Sequence, residues 1–394
     1  MKRWVAAALF GSVATTAIAQ TNISGYLKSY AVVQDELSND FIASDEVYQS
    51  QNTGRLMVEY FNQAVVLQLH YEVSPLFVSR SLGADIPTFN VVGDSYRLTD
   101  LSTSLTADEA NKNQVYQNLD RLNVQIQLDA GDLTVGRQAI SFGASRFINP
   151  TDVFLPFDVR TFNTEYRTGV DAVRFQRPWG ELGEIDVGVV LGGDANRQTS
   201  AAFVQLRNNV NGKDFNVALI EFAEQTLVGA GVQSDLGDLG FWFEAAYVSG
   251  EEDYTRVSTG VDYAFTEHTF GMVEYHFNGA GGDDPKAYLG RFDSVAYQRG
   301  GVFLLGQHYL MPSLSIQATP LLSIGLQAIV NLDDQSAYAS VVSEYNVAEN
   351  VYLDLGVYHF VGENLTVDAL GRPQFKSEYG PNPDTLYASI RWYF

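Results

Sequence analysis

The sequence predicts an all-β fold, a transmembrane antiparallel up-and-down β-barrel of about 18 strands. Three observations carry this prediction. Segments of about ten residues alternate between apolar and polar side chains. The connections between them are alternately short and long. Beyond the N-terminal segment, no run of about 18 apolar residues is long enough for a transmembrane helix.

Residues 1–19 have the features of a secretory signal peptide. Lys2 and Arg3 precede an apolar run, which ends in the small-residue site Ala17-Ile18-Ala19. We expect cleavage after Ala19, so that residues 20–394 form a single exported barrel domain with long extracellular loops. A signal peptide directs export, and together with the alternating strands it predicts that the protein is located in the outer membrane of a Gram-negative cell.

The alternation is clearest in the strand predicted at 384–394. One face carries only apolar residues from Leu386 to Phe394, and the other includes Ser389 and Arg391. In a membrane barrel the first face suits lipid and the second a wet interior. The same pattern, followed along the chain, predicts strands at 22–33, 53–61, 63–73, 119–129, 132–142, 168–177, 183–192, 200–208, 214–222, 225–234, 239–249, 254–263, 268–277, 302–317, 321–331, 336–345, 350–360 and 384–394.

The connections support this strand order independently. If the N-terminus is periplasmic, every connection predicted on the periplasmic side is short. The connections predicted outside the cell include five long ones, at 34–52, 74–118, 143–167, 278–301 and 361–383. Short periplasmic turns and long outer loops are the pattern of bacterial outer-membrane barrels.

The chain closes with IRWYF, an alternating strand that finishes in an aromatic residue. This ending resembles the C-terminal signal that the barrel-assembly machinery recognises in outer-membrane barrels. Trp392 and Phe394 match its paired aromatics, whereas Ser389 stands where that pattern often has Gly. The resemblance implies the assembly machinery and outer-membrane lipid as partners.

Charged side chains on the polar faces are expected to point into the lumen, because a charge facing lipid is costly. Their signs are mixed, which leaves two interpretations open: a solvated wall with cross-strand ion pairs, or a polar pore whose narrowest part sets selectivity. These predicted lumen-facing residues are Arg55, Glu59, Arg121, Glu244, Arg256, Glu274, Glu344 and Arg391.

The long connection 143–167 is rich in Phe and poor in Gly and Ser, so we expect it to be ordered and to fold into, or cap, the barrel mouth. It and its flanking strands carry the predicted selectivity residues. A β-bulge near Gly136 is expected to turn Arg137 inward. Arginines hold anions well, but nearby acids can also pair with them, so an anion-selective constriction and a loop held by ion pairs both remain open. The predicted residues are Arg137, Arg146, Arg160, Arg167, Arg174, Asp152 and Asp158.

Composition disfavours several other functions. The formal net charge is −23, whereas nucleic-acid binding needs a basic surface. The chain has no Cys, which excludes disulfides and thiol chemistry. Its five His are scattered without a catalytic or metal-binding pattern. We therefore expect no enzyme activity, no cofactor and no metal.

The segments Gly136-Arg137-Gln138, Phe142-Gly143 and Gly169-Val170-Asp171-Ala172-Val173-Arg174 resemble the porin-like outer-membrane barrels grouped around alginate-export proteins. The match covers about an eighth of the chain. It implies a channel for small hydrophilic solutes, including anionic or sugar-type solutes. Related barrels enclose multihaem cytochromes or serve polysaccharide export or secretion, so a structural sheath around such a partner is the alternative. The acids throughout the predicted lumen depart from the arginine-lined lumen of the alginate exporter.

Overall fold

The computed structural model describes residues 20–36, 46–79, 96–99, 104–107, 112–154 and 165–394. The predicted signal peptide, Arg160 and Asp158 lie outside these ranges. The described chain forms a closed antiparallel barrel of 18 strands, which confirms the predicted fold class. The strands are β1 (Gln20–Gln34), β2 (Val47–Asn62), β3 (Val65–Val78), β4 (Asn113–Leu128), β5 (Gly131–Gln138), β6 (Val170–Trp179), β7 (Gly183–Leu191), β8 (Ala201–Val210), β9 (Lys213–Phe222), β10 (Gln225–Leu236), β11 (Leu239–Ser249), β12 (Tyr254–Thr266), β13 (Thr269–Asn278), β14 (His308–Thr319), β15 (Leu322–Asn331), β16 (Ala337–Ala348), β17 (Val351–Val361) and β18 (Thr385–Tyr393).

The barrel closes where β1 pairs with β18, and β1 also pairs with β2 on its other side. Leu27, for example, lies opposite Gly54 on β2 and Trp392 on β18. Closure leaves no free edge strand for another chain to extend. A short strand, Ser104–Ala107, also pairs with β4, and Thr366–Val367 forms a small hairpin with Pro373–Gln374.

Five predicted strand boundaries were wrong by four or more residues. β2 begins at Val47 rather than at 53, β3 ends at Val78 rather than at 73, and β4 begins at Asn113 rather than at 119, so these three strands are longer than predicted.

Two other strands are shorter than predicted. β5 ends at Gln138 rather than at 142, and β14 begins at His308 rather than at 302. In both places the apolar residues pack inside the barrel instead of facing lipid: Ile140 and Phe142 are buried in one interior cluster, and Leu304 in another.

The two ends of the barrel differ as predicted. At one end all eight connections have two or three residues. Asn211 and Gly212, for instance, both have positive φ, 56° and 78°, as the commonest two-residue hairpin turn requires. At the other end the long connections include 139–169, 279–307 and 362–384. A further connection at this end, 223–224, is only a two-residue turn.

The outer surface of the barrel is apolar and has aromatic residues near both rims. Trp179 and Trp392 are about half exposed at the short-turn end, as are Tyr48 and Tyr247 at the long-loop end. Such aromatic girdles flank the lipid-facing band of membrane barrels. Within the described ranges, no helix has the length and apolarity to cross a membrane.

One β-bulge changes which side chains enter the lumen. His70 pairs with Arg121 and Tyr71 pairs with Leu119, so Asp120 is an extra residue on β4. Strict alternation would direct Asp120 at lipid. The bulge instead buries both Asp120 and Arg121 in the interior, at 1% and 8% exposure.

Much of the interior at the long-loop end is filled. One apolar cluster includes Phe142, Phe154 and Phe203, and a second includes Tyr309 and Tyr338. The connection 279–307, which we call the capping loop, contributes Ala296 and Val302 to the first cluster. It contains two short helices, α1 (Tyr288–Arg291) and α2 (Val295–Gln298), and a 3-10 turn at Pro285–Ala287; another 3-10 turn lies at Gly193–Ala195.

Candidate pore constriction

The connection between β5 and β6 is residues 139–169, and we call it the crossing loop. Its described parts, 139–154 and 165–169, lie inside the barrel. Its entry depends on Gly143, which has φ 119°. A Cβ at Gly143 would lie 2.1 Å from Asn149 Oδ1, the same atom that accepts a hydrogen bond from the Ser145 N–H at 2.8 Å. Only glycine fits this turn, and it directs the next residues across the lumen.

Glu244, on β11, anchors the first part of the crossing loop. Its carboxylate is fully buried and accepts from the backbone N–H groups of Ala144 (2.5 Å), Ser145 (3.1 Å) and Thr151 (2.9 Å), and from the Thr151 hydroxyl (2.7 Å). Several N–H donors on one carboxylate compensate the cost of burying its charge.

Glu274, on β13, repeats this arrangement for the following residues. It is fully buried and accepts from the N–H groups of Arg146 (3.0 Å), Phe147 (3.2 Å) and Ile148 (2.9 Å), and from Trp242 Nε1 (2.7 Å). The two carboxylates together therefore hold the main chain of residues 144–151 against β11 and β13.

The other end of the loop binds the opposite wall. Glu165 forms an ion pair with Lys28 on β1 at 2.9 Å and with Arg391 on β18 at 3.2 Å, and accepts from the Tyr393 hydroxyl. Beside it, Tyr166 stacks on Tyr26 with ring centroids 6.0 Å apart. The described parts of the loop thus contact opposite sides of the barrel.

The loop returns to the sheet at Gly169, whose N–H donates to the buried Asp120 at 2.9 Å. Asp120 also pairs with Arg55 and with Arg121, the latter at 2.9 Å. Arg121 in turn donates to the Arg167 carbonyl at 2.6 Å. The bulged residue of β4 therefore organises the arginines around the loop's exit.

The predicted arginine set does not converge on one point. Each described member has its own acidic partner: Arg137 pairs with Asp171 at 2.7 Å, Arg146 with Asp262 at 3.6 Å, Arg167 with Asp152, and Arg174 with Asp186 at 2.5 Å. The structure shows no register shift at Gly136, so the expected bulge there was wrong; Gly136 instead has φ 114°.

The predicted lumen-facing residues take different roles. Glu244 and Glu274 bind the crossing loop, Arg55 and Arg121 surround Asp120, and Arg256 donates to loop carbonyls. The remaining three belong to smaller networks. Glu59 lies 3.5 Å from His70, and Arg391 pairs with Glu344 and Asp354.

Few of these charges remain open to solvent. The side chains of Arg146, Glu344 and Glu165 are 48%, 43% and 34% exposed, whereas most of their partners are buried. Arg146 also lies over the Trp242 ring, 5.5 Å from its centroid. In the part of the chain that the structure describes, the accessible charge at the constriction is thus one cation on the anchored part of the loop and two carboxylates near the opposite wall.

Two loop carboxyls differ in acidity. Burial raises the pKa of Asp152 to about 6, although the Arg167 guanidinium acts in the opposite direction. Burial also acts on Glu165, but hydrogen bonds from Tyr393 and Lys28 and the nearby Arg391 charge outweigh it, so the pKa of Glu165 lies below its ordinary value.

Sequence alternation placed Glu244 and Glu274 in the lumen but did not identify the other residues that position the loop. Asp120 shares its parity with the lipid-facing residues of β4. Trp242 and Tyr26 could not be singled out, because the strands carry many other aromatic residues. The available signal was the bulged Asp120-Arg121 pair, since two adjacent charges in a membrane strand cannot both be accommodated by alternation. Among the described residues, no group of three or more His, Asp or Glu side chains is placed to hold a metal ion.

Comparison with known proteins gives structural matches only. A scan of protein-family models and a search of curated proteins return no match to this chain. Similar solved structures include OccAB1 of Acinetobacter baumannii, with 9% identity, TM-score 0.57 and coverage of 95% of this chain and 96% of that one. A BenF-like porin from Pseudomonas fluorescens Pf-5 has 12% identity, TM-score 0.57 and coverage of 95% and 98%. OpdK of Pseudomonas aeruginosa, solved with vanillate, has 11% identity, TM-score 0.54 and coverage of 95% and 98%. At these identities the likeness establishes the shared barrel fold.

Proposed function

We propose that this chain is an outer-membrane porin through which small hydrophilic solutes diffuse passively. The observation that carries the proposal is the crossing loop. It lies inside a closed 18-strand barrel and is fastened to β11 and β13 on one side and to β1 and β18 on the other. A barrel of this size is wide enough for an aqueous channel, and a loop inside the barrel narrows that channel.

The solvent-open charges favour small polar solutes as the transported class. Arg146 offers a guanidinium on one side of the constriction, and Glu165 and Glu344 offer carboxylates on the other. The structurally similar BenF-like porin and the vanillate-containing OpdK extend this proposal to small carboxylates, including aromatic ones. Among the described arginines that contact the crossing loop or belong to it, Arg146 is more exposed than Arg167 and Arg391 and is therefore best placed to meet a carboxylate.

The sheath alternative has less support. A barrel that encloses a cytochrome or a secretion component needs an open lumen, whereas the crossing loop and the buried clusters occupy this one. The resemblance to alginate-export proteins remains a proposal that rests on the glycine-containing segments around Gly136, Gly143 and Gly169. Cleavage after Ala19 and recognition of Trp392 and Phe394 by the assembly machinery are likewise proposals, drawn from the sequence.

Single-channel recording tests the porin proposal. The refolded chain without residues 1–19 is inserted into a planar bilayer, and current is recorded in symmetric salt and then in a salt gradient. We expect stable open steps. A correctly folded barrel, judged by circular dichroism and heat-modifiable gel mobility, that gave no conductance would exclude an open pore.

Chemical labelling shows whether the current passes the crossing loop. The chain has no Cys, so Arg146→Cys would carry a single thiol at the half-exposed position in the proposed passage. Reaction with a bulky methanethiosulfonate reagent is expected to reduce the current stepwise. Leu355→Cys is the control, because Leu355 is 54% exposed on the outer face of β17. Block of the control but not of Arg146→Cys would place the pathway elsewhere.

A further inference from the structure

Two glycines on the wall beneath the crossing loop make room for large side chains of the neighbouring strand. Gly240 on β11 lies opposite Asp262 on β12. A Cβ at Gly240 would be 2.2 Å from Asp262 Oδ1. Further along the same two strands, Gly260 lies opposite Trp242, and a Cβ there would be 2.3 Å from Trp242 Cζ2. The carboxylate and the indole therefore each lie over the glycine opposite, and together they form a surface inside the barrel.

Arg146 of the crossing loop lies against both side chains. Its guanidinium carbon is 5.5 Å from the centroid of the Trp242 ring, and its Nη2 is 3.6 Å from Asp262 Oδ2. The ring is itself fixed, because Trp242 Nε1 donates to the buried Glu274 at 2.7 Å. Among the described residues, the Arg146 guanidinium donates no hydrogen bond. Its side chain is 48% exposed, so its N–H donors remain open to a solute.

The contact between Arg146 and Asp262 is too loose to anchor the loop. A half-exposed ion pair at 3.6 Å contributes little to stability, whereas Glu244 and Glu274 already hold the backbone through several shorter bonds. The same contact does affect what a solute meets. A carboxylate bound by a guanidinium prefers two parallel hydrogen bonds of about 2.8 Å, and the nearby Asp262 carboxylate competes for the same guanidinium.

We propose that Trp242 and Asp262 are positioning residues that set how strongly Arg146 binds a small carboxylate. Trp242 supports the guanidinium from the wall side and leaves its N–H groups open to the lumen. Asp262 competes with the solute for these donors and keeps the affinity for the solute low. A channel needs this balance, because a solute that binds too tightly is not released. Both roles rest on the porin function proposed above.

Sodium benzoate is the probe, because its ring and carboxylate represent the proposed solute class. Binding to the folded protein in detergent is titrated by saturation-transfer NMR, and single-channel current is recorded with benzoate as the permeant anion over a range of concentrations. We expect Asp262→Asn to lower both the dissociation constant and the half-saturating concentration by about threefold, as for the loss of one half-exposed charge interaction. The maximal benzoate current should fall, since a more tightly bound solute is released more slowly. A purely structural Asp262 would not combine tighter binding with slower transport.

Two substitutions at Trp242 isolate the role of its ring. Trp242→Phe and Trp242→Leu both remove the Nε1–H that donates to Glu274, so a difference between them chiefly reports the aromatic face. We expect Trp242→Leu to bind benzoate about threefold more weakly than Trp242→Phe. Asp132→Asn is the control for net charge. Asp132 lies on β5, where it accepts from Gln125 at 3.1 Å, and this variant should bind benzoate as the native chain does.

Benzoate binding to Asp262→Asn that is equal to or weaker than binding to the native chain would overturn the proposal. Equal binding by the two Trp242 variants, or no binding by the native chain, would also overturn it. The NMR titration requires no current through the barrel. A chain that binds benzoate with the expected shifts but does not conduct would therefore count against the porin and leave the two roles in carboxylate binding standing. A chain that conducts, but whose variants all match it, would count against the roles of Trp242 and Asp262 alone.

Discussion

The two described parts of the crossing loop are held by different kinds of contact, backbone hydrogen bonds in one and side-chain interactions in the other. Residues 144–151 are fixed through their backbone N–H groups, which donate to the buried carboxylates of Glu244 and Glu274. Around residue 165 the loop is fixed through side chains, by a partly exposed carboxylate with two cationic partners and by a stacked Tyr166. Backbone anchoring does not depend on which side chains the loop carries, whereas side-chain anchoring responds to charge, pH and salt.

This difference assigns separate tasks to the two ends. The backbone contacts of the first end set where the loop lies, whereas exposed side chains, Arg146 at the first end and Glu165 at the second, determine the charge that a solute meets. Each of the following predictions changes one end and uses the other as its reference.

The largest effect is expected from Glu274→Ala. Three backbone N–H groups and Trp242 Nε1 would lose their acceptor. Since each unsatisfied buried donor costs about 1–3 kcal/mol, we expect the free energy of unfolding to fall by at least about 3 kcal/mol. Urea denaturation of the protein in detergent measures this. Glu344→Ala is the matched control, because this acid is 43% exposed and pairs only with Arg391 among the described contacts. Equal losses in the two variants would contradict the proposed anchoring.

A smaller loss of stability and a larger change in selectivity are expected from Glu165→Ala. The variant removes the acid beside Lys28 and Arg391 and leaves the Glu244 and Glu274 contacts intact. We expect the free energy of unfolding to fall by about 1–2 kcal/mol. The reversal potential in a salt gradient should shift toward anion selectivity. A reversal potential equal to that of the native chain would show that Glu165 does not face the permeation path.

Acidification should increase the contribution of Asp152 to the stability of the folded state and decrease that of Glu165. The folded pKa of Asp152, about 6, lies above its ordinary value of 3.8, so the folded state takes up this proton first. Its contribution to stability is fully present below pH 3.8 and is lost as pH rises through about 6. Glu165 has a folded pKa below 4.5, so its contribution is present above that pH and is lost on further acidification.

Asp152→Asn and Glu165→Gln measure these contributions separately. The difference in free energy of unfolding between the native chain and each variant is followed from pH 8 to pH 3. The free energy of unfolding of the native chain should exceed that of Asp152→Asn by a growing amount as pH falls below about 6. Its excess over Glu165→Gln should become smaller as pH falls below 4.5. Parallel profiles for the two variants would show that the two ends of the loop do not differ in this way.

The smallest stability effect is expected from Arg146→Gln. Its ion pair with Asp262 is 3.6 Å long and its side chain is half exposed, so the free energy of unfolding should change by less than about 1 kcal/mol. The backbone N–H of residue 146 still donates to Glu274 in this variant. Single-channel current carried by a small carboxylate should nevertheless fall. A large loss of stability with unchanged carboxylate current would show that the Arg146 side chain holds the loop in place and does not meet the solute.

The barrel was predictable from the sequence because lipid and lumen impose a period-2 pattern on every strand. All 18 strands lie close to their predicted positions. The errors at β5 and β14 arose where apolar residues pack inside the barrel, since apolar alternation does not distinguish lipid from a protein interior. The same limit applies to Glu244 and Glu274, whose inward parity was visible but whose donors come from a loop about 100 residues away in sequence.

Asp120 illustrates a different limit. A bulge inserts one residue and reverses parity locally, so no pattern that assumes unbroken alternation could place it in the lumen.

The pairing of β1 with β18 also has a kinetic consequence. The hydrogen bond between Gln34 and Thr385 joins residues 351 positions apart, whereas most other strand pairs are neighbours in the chain. Loop closure over such a distance costs more entropy than forming any single hairpin. We therefore expect the hairpins to form early during insertion and the pairing of β1 with β18 to form last. Substitutions in β1 or β18 that weaken this pairing should then slow barrel closure more than comparable substitutions in other strands.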